Sequence, residues 1–326
     1  MSGASANPPA GPDAPRRPWS RLFEGREQGN VHAVETAAGS IWVGCCRNPS
    51  LLLKVTPGRG ETVPIRFDDG SGLHDLAFDG EHLLVAHASG HLSRIDPQTD
   101  EVHTRRIELT SGQRAFLYAL HFDGRDLWAG TYTDPGCLLR IDRQSGSHEQ
   151  LPLPAAPMWS VRTLVSAGDA LWVALYTVLG KIIVVDKRSG EQNAIELDAG
   201  NILCTSSCFN GRHVWIGLDT MPARLLRIDP HSGEARAYDL HPGSSCVHGL
   251  VFDGRYLWLG LYTEPGELVR FDPQTGDFRR HVMPDAFYNV RDLAVDGERV
   301  WAVTQNVRYQ PSGLYGLPLD AVEGLA

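Results

Sequence analysis

A repeat of about 43 residues constrains this sequence more than any other feature. Aligned on one tryptophan position, the chain repeats at intervals of 42 to 44 residues, with leucine replacing tryptophan once. The aligned positions are Trp42, Leu84, Trp128, Trp172, Trp215, Trp258 and Trp301. Such a period is typical of repeat architectures, in which each unit is one supersecondary structure that packs on the next. The sequence therefore predicts one domain of seven units.

Each unit has the pattern of four short β-strands. In residues 247–281, short apolar runs are bounded by turn residues, and no helical periodicity of 3.6 residues persists. Asp-Gly pairs such as 253–254 suit tight hairpin turns, and Asp-Pro sequences such as 272–273 suit a second turn. Four strands repeated seven times predict an all-β fold, a seven-bladed β-propeller with four antiparallel strands per blade.

The last unit is short of an outer strand, because the sequence ends soon after residues 314–320. Residues 19–23 precede the first inner strand by the spacing that an outer strand has in other units, so we expect them to close the ring. The segment 1–17, rich in Ala, Pro, Gly and Ser, is expected to be a flexible tail. Residues 18–326 are then a single propeller domain, in which the tryptophan row packs between blades.

Composition and charge exclude several classes of protein. With 30 Lys and Arg against 39 Asp and Glu, the net charge is −9, which argues against nucleic acid and anionic membranes as partners. No apolar run approaches the roughly 18 residues of a membrane helix, and no secretion signal is recognisable. The six cysteines are sparse, and the adjacent Cys45 and Cys46 are interpreted as core thiols. We expect a cytoplasmic protein with reduced cysteines.

The repeat resembles two kinds of propeller. Residues 127–146 (LWAGTYTDPGCLLRIDRQSG) and 257–276 (LWLGLYTEPGELVRFDPQTG) resemble blades of two-component-regulator propellers. The succession of a polar residue, an apolar strand, Asp-Gly and then Trp resembles the streptogramin-lyase-like propellers. The Trp-Asp pair of WD repeats and the double glycine of kelch repeats are missing. The resemblance implies a fold, and the function depends on the site.

A polar residue stands ten positions before each tryptophan position, although packing does not require it. These residues, which we call the polar ring, are His32, His74, Tyr118, Arg162, Thr205, His248 and Arg291. In a propeller such positions converge around the central channel, where they would bind a small anionic or peptide-like ligand. The three histidines are candidate catalytic acids or bases, and the other four are candidate ligand-binding residues. The alternative is that these side chains bond across blades or to buried carbonyls.

Aromatic residues are expected to surround the same opening as an aromatic rim. Tyr132, Tyr176 and Tyr262 stand four residues after the tryptophan position, and Trp159 and Tyr288 lie in loops that enter inner strands. A rim of this kind suits a small molecule or a peptide, because apolar area supplies affinity. Ordinary packing at the blade edges is the alternative.

The lyase resemblance implies two histidines from adjacent blades, a glutamate and magnesium. His32 and His74 match the histidines, but the expected glutamate positions hold His87 or Ala88 in one blade and Thr304 or Gln305 in another. A divalent metal on the histidines is left open, without a ligand spacing that supports it. Two functions stay open: a ligand site that works as a lyase or hydrolase, and a non-catalytic sensor or protein-binding propeller.

Overall fold

Seven four-stranded antiparallel sheets contain every strand of the described chain. The computed structural model describes residues 19–25, 29–68, 71–154, 160–177, 180–197, 203–283, 289–305 and 312–320. Each inner strand packs against the inner strand of the next blade, and the last packs against the first, so the sheets form a ring. The predicted seven-bladed, all-β architecture is confirmed. None of the described residues belongs to a helix long and apolar enough to span a membrane.

The strands follow one another in chain order, four to a blade. An N-terminal strand, β1 (Ser20–Gly25), comes first. Blade one contains β2 (Asn30–Ala37), β3 (Ser40–Cys46), β4 (Ser50–Val55) and β5 (Thr62–Phe67). Blade two contains β6 (Leu73–Phe78), β7 (Leu83–His87), β8 (His91–Ile95) and β9 (Val102–Arg106). Blade three contains β10 (Leu117–Phe122), β11 (Leu127–Thr131), β12 (Cys137–Ile141) and β13 (His148–Pro152).

The remaining blades repeat this order. Blade four contains β14 (Val161–Ala167), β15 (Ala170–Leu175), β16 (Lys181–Asp186) and β17 (Gln192–Glu196). Blade five contains β18 (Cys204–Phe209), β19 (Val214–Leu218), β20 (Arg224–Ile228) and β21 (Ala235–Asp239). Blade six contains β22 (Ser245–Phe252), β23 (Leu257–Tyr262), β24 (Glu267–Phe271) and β25 (Phe278–Val282). Blade seven contains β26 (Val290–Val295), β27 (Arg299–Thr304) and β28 (Ser312–Pro318).

The ring is closed by the N-terminal strand. The order in the last sheet is β1-β28-β27-β26, and β1 pairs antiparallel with β28. Leu22 and Phe23 pack against a buried cluster that includes Val31 of blade one and Trp301 of blade seven. This placement confirms that residues near 19–23 supply the outer strand of the last blade, whereas residues 1–17 lie outside the described part of the chain.

Burial decreases from the second strand of each blade to the outer strand. Strands β7, β11 and β19 are buried at every position, because blades cover both of their faces. An outer strand such as β9 is mostly exposed. This gradient explains why the second strands are continuous apolar runs around a tryptophan, whereas the outer strands are polar.

In blades three, six and seven, an aspartate five residues before the tryptophan holds the hairpin turn and also accepts the indole N–H. In blade six, Asp253 Oδ1 accepts the backbone N–H groups of Arg255 and Tyr256 at 2.7 and 2.6 Å. The other oxygen, Oδ2, accepts the indole N–H of Trp258 at 2.7 Å. Gly254 has a φ of 97°, a conformation that favours glycine. The Asp-Gly-…-Trp pattern of the sequence is therefore one hydrogen-bonded unit.

Candidate functional site

A β-bulge occurs at the same place in all seven inner strands. The pairing register shifts between the residues 11 and 9 positions before the tryptophan position, for example between Leu73 and Asp75 and between Val290 and Asp292. The residue inside each shift is the polar-ring member of that blade. A bulge leaves one residue outside the regular ladder and re-aims its side chain. The backbone therefore turns each polar-ring residue out of the alternation between the two faces of its sheet.

All seven polar-ring residues line one cavity at the centre of the ring. The cavity has a volume of about 110 Å³, the space of roughly four water molecules at about 30 Å³ each. Pockets for drug-sized ligands are larger, on the order of 300–1,000 Å³. The convergence expected from the spacing is present, and the small space suits an ion or the polar end of a longer ligand.

Two arginines bring positive charge to this cavity. Arg291 donates to His248 Nδ1 at 2.6 Å and to the Tyr118 hydroxyl at 3.1 Å. Arg162 lies over the rings of Tyr118 and Tyr176, at 4.8 and 5.7 Å from their centroids. The Nε atoms of both arginines are buried without a hydrogen-bond partner. Burial, and then the charge of Arg291, lowers the pKa of Arg162 to about 9, so the side chain stays protonated at neutral pH.

The three polar-ring histidines are neutral at physiological pH. Burial, followed by the charge of Arg291, lowers the pKa of His32 to about 2 and that of His74 to about 4. The same two causes lower the pKa of His248 well below 6.5. The rings of His32 and His74 meet edge to face with centroids 5.0 Å apart, and the Nδ1 atom of each is buried without a partner. Any attraction of anions therefore comes from the arginines.

Two carboxyl groups line the same cavity, and the sequence analysis did not single them out. Asp75 accepts the backbone N–H of Leu120 in the next blade at 2.7 Å, and Asp292 accepts that of Val34 at 2.9 Å. Burial raises the pKa of Asp75 to about 8 and that of Asp292 to about 6. Each follows a polar-ring residue directly, so strict strand alternation would place it on the opposite face. The bulge brings both aspartates to the cavity, and no residue pattern in the sequence predicts it.

The aromatic rim is partly assembled in the described residues. Phe116, which the sequence analysis missed, has its ring centroid 5.1 Å from that of His74 and 5.4 Å from that of Tyr132. Tyr132 is 55% exposed and Tyr262 is 39% exposed, whereas Tyr176 contacts Arg162. Trp159 and Tyr288 lie outside the described residues.

Thr205 lines the cavity but uses its hydroxyl within the framework. Its Oγ1 lies 2.9 Å from the carbonyl oxygen of Gly217 and 2.6 Å from that of Val247 in the next blade. The neighbouring Ser206 also donates to the Val247 carbonyl, at 2.7 Å. The bonds to Val247 join blades five and six. Thr205 therefore fits the alternative stated for the polar ring, in which the side chains bond across blades or to buried carbonyls.

One group of side chains in the described part of the chain has the composition and proximity of a metal site. It contains His32, Cys46 and His74, whose ligand atoms all lie within 4.8 Å of one another. His248 is not a member, and its Nδ1 instead accepts from Arg291. Cys46 is partly exposed, in contrast to the fully buried Cys45. The metal that the sequence left open on the histidines would therefore have two histidines and a thiol as its candidate ligands among the described residues.

Comparisons with known proteins support the fold. Among solved structures 1650 chains match, so the fold alone does not narrow the function. One match is the β-propeller domain of Cps50 (Swd1) from Myceliophteria thermophila, with a TM-score of 0.69 and 14% sequence identity. The match covers 91% of this chain and 99% of that domain. No family model and no curated protein matches the chain. The resemblance to streptogramin-lyase-like and regulator propellers is thus supported as far as the seven-bladed fold.

Proposed function

We propose that this propeller binds a small anionic ligand, through a carboxylate or phosphate group, in the cavity lined by the polar ring. The observation that carries this proposal is the pair of arginines, Arg162 and Arg291, which line one small cavity and whose buried Nε groups have no hydrogen-bond partner. Guanidinium groups form charge-assisted hydrogen bonds to carboxylates and phosphates, often two at a time. The ligand's charged group would occupy the space between them.

The energetic reason is the cost of leaving two like charges close together and partly desolvated. The charge of Arg291 lowers the pKa of Arg162, which shows that the two guanidiniums repel each other. A buried donor without an acceptor costs about 1–3 kcal/mol, and more when it is charged. Asp292 offsets some of this charge, whereas burial keeps Asp75 mostly protonated at neutral pH. The oxygens of both carboxyl groups already accept backbone N–H groups. A bound anion would supply acceptors that the framework does not.

Because the aromatic rim lies beside the cavity, the proposed ligand is larger than an ion and has an apolar part as well as a charged group. Tyr132 is exposed beside Phe116 and Tyr118, and these rings continue from the cavity to the surface. A peptide ending in a free carboxylate, or a small carboxylic acid, would place its charge between the arginines and its apolar part on the rings. We assign no lyase or hydrolase reaction, because His248 Nδ1 already accepts from Arg291.

A second candidate function, docking of another protein, is favoured by the exposed side chains on the same face. Among the described residues, five large hydrophobic side chains are exposed. Three of them, Tyr132, Met221 and Tyr262, lie at or beside the loops that join the second and third strands of blades three, five and six. Exposed apolar side chains on one face favour a protein-interaction surface there. A protein bound by the rim alone would be sensitive to Tyr132→Ser and Met221→Ser and insensitive to Arg162→Gln.

The test is calorimetric titration with inorganic phosphate, acetate, succinate and a short peptide with either a free or an amidated carboxyl terminus. We expect at least one anion to bind and to raise the melting temperature, and the amidated peptide to bind less than the free one. Arg162→Gln and Arg291→Gln should abolish this binding. Arg279→Gln, on the exposed outer strand of blade six, is the matched control and should bind as the unmodified protein does.

Two results would overturn the proposal. One is that none of these anions binds. The other is that Arg162→Gln and Arg291→Gln lower the melting temperature but bind as tightly as Arg279→Gln does, which would make the arginines purely structural.

A further inference from the structure

Two histidines that line the cavity meet a thiol between blades one and two. His32 lies in β2, Cys46 at the end of β3, and His74 in β6. A ring nitrogen of each histidine and Sγ of the cysteine lie within 4.8 Å of one another. We propose that these three residues bind one Zn²⁺ ion and leave its fourth position open to the cavity.

The spacing suits zinc after a small adjustment of the side chains. Zinc binds sulfur at about 2.3 Å and nitrogen at about 2.0–2.1 Å in a tetrahedron, so neighbouring ligand atoms lie roughly 3.4–3.6 Å apart. The observed separations, up to 4.8 Å, are longer than this, so the side chains would have to rotate as the ion binds. Imidazole and thiolate ligands favour zinc over magnesium, which prefers oxygen. Three protein ligands with an open fourth position are the arrangement of zinc sites that bind an exchangeable ligand.

Both histidines have a nitrogen available for an ion. Nδ1 of His32 and Nδ1 of His74 are buried without hydrogen-bond partners. The side-chain amide of Gln305 lies 3.5 Å from His32 Nε2 and contacts the amide of Asn289, whose Oδ1 has no partner. The same atom positions fit the opposite orientation of both amides. Gln305 then accepts the Nε2–H of His32 and donates to Asn289, which leaves the Nδ1 lone pair free.

The thiol occupies a position that the repeat does not require to be cysteine. The equivalent residues of blades two, three and four are Ala88, Tyr132 and Tyr176. Cys46 lies against Gly72 of blade two, where a Cβ atom would overlap its Sγ. Because Gly72 carries no side chain, the thiol of blade one can approach His74 of blade two.

Charge connects this site to the arginines. When Zn²⁺ binds, the Cys46 thiol loses its proton to solvent, so the bound ion and thiolate together carry one positive charge. Arg162 and Arg291 line the same cavity. The zinc–thiolate pair and the two arginines thus place three positive charges around one opening, which favours an anion as the fourth zinc ligand. This choice of an anion rests on the proposed function. The zinc site itself does not depend on that choice.

The test is a titration of metal-free protein with Co²⁺, in a buffer without phosphate or carboxylate, followed by displacement with Zn²⁺. We expect a thiolate-to-cobalt charge-transfer band that saturates at one equivalent and disappears when zinc is added. Cys46→Ser should abolish the band, and His74→Ala should weaken zinc binding by more than the roughly 10–100-fold cost of losing an outer-shell partner. Gln305→Ala, which removes such an outer-shell partner, should weaken zinc binding by an amount within that range. Cys45→Ala, which removes the neighbouring core thiol, should keep the band.

The results that overturn the zinc site are distinct from those that overturn anion binding. An unchanged band in Cys46→Ser, no thiolate band at one equivalent, or unchanged zinc affinity in His74→Ala would each exclude the site. Melting temperatures of the variants confirm that they fold. One equivalent of zinc bound by the unmodified protein, together with no binding of phosphate or carboxylate to that protein, would overturn the anion proposal alone.

Discussion

At the scale of single residues, equivalent tryptophans differ in what their indole nitrogens contact. Trp258 Nε1 donates to Asp253 Oδ2 at 2.7 Å, whereas Trp215 Nε1 is buried without a partner. The residue five positions before Trp215 is Asn210, which uses its Oδ1 to accept two backbone N–H groups of the turn. Both rings are fully buried. The two positions therefore share packing and differ by one hydrogen bond.

We expect Trp258→Phe to destabilise the protein more than Trp215→Phe does. Both changes leave a similar cavity, but the first also leaves an oxygen of Asp253 without its donor. The difference should be about 1–3 kcal/mol in the free energy of unfolding, the usual range for losing a hydrogen bond to a charged group. Denaturant unfolding of the two variants measures it. Equal losses would show that the bond to Asp253 adds nothing beyond packing.

At the scale of elements, one strand far away in sequence completes the last sheet. β1 supplies the pairing edge of β28, and its Leu22 and Phe23 cover apolar residues shared by blades one and seven. A sheet edge left open would expose unpaired backbone groups and apolar side chains. The closure of the ring therefore depends on about six residues near the start of the chain.

Deleting residues 1–25 should lower the melting temperature and promote association, because it removes β1. Deleting residues 1–17 leaves β1 in place and serves as the control, with no expected change. Thermal unfolding together with light scattering compares the two truncated proteins. If both melt like the full chain, the pairing of β1 with β28 contributes little to stability.

At the scale of the whole molecule, buried ionisable groups set how stability depends on pH. The pKa values of His32, His74 and His248 fall on folding, so the unfolded chain binds more protons below about pH 6.5 and stability decreases as pH falls. Burial instead raises the pKa of Asp75 to about 8, that of Glu35 to about 7 and that of Asp292 to about 6. These carboxyls favour the folded state when protonated, so stability also decreases as pH rises through those values.

The protein should therefore be most stable near pH 6–7, and Glu35→Gln should reduce the loss of stability between pH 6 and 8. Between pH 6 and 8, ionisation of Glu35 in the folded state should cost about 1 kcal/mol, since the unfolded chain is already ionised there. Melting temperatures of the unmodified protein and the variant across pH 5–9 measure the difference. Parallel curves above pH 6 would show that Glu35 is ionised in the folded protein throughout.

Much of the architecture could be predicted from the sequence because it depends on local chemistry repeated seven times. Turn residues such as Asp253 and Gly254 form hairpins through contacts within a few residues, and apolar runs around Trp258 predict strands buried between blades. Even the closing strand at residues 19–23 follows from counting strands. The repeat spacing also predicted that the polar-ring residues converge, because equivalent positions of a closed repeat lie at equal distances from its axis.

The tertiary structure alone decided which side chains share the cavity and in which charge state. The bulges bring Asp75 and Asp292 to the same side as the polar ring, against the alternation that a sequence pattern predicts. Proximity across blades places Cys46 beside His74 and assigns the Thr205 hydroxyl to framework carbonyls. Burial and the charges of the arginines make the histidines neutral. Residue type and spacing determine strands and turns, whereas contacts and pKa values depend on distances that exist only after the ring has closed.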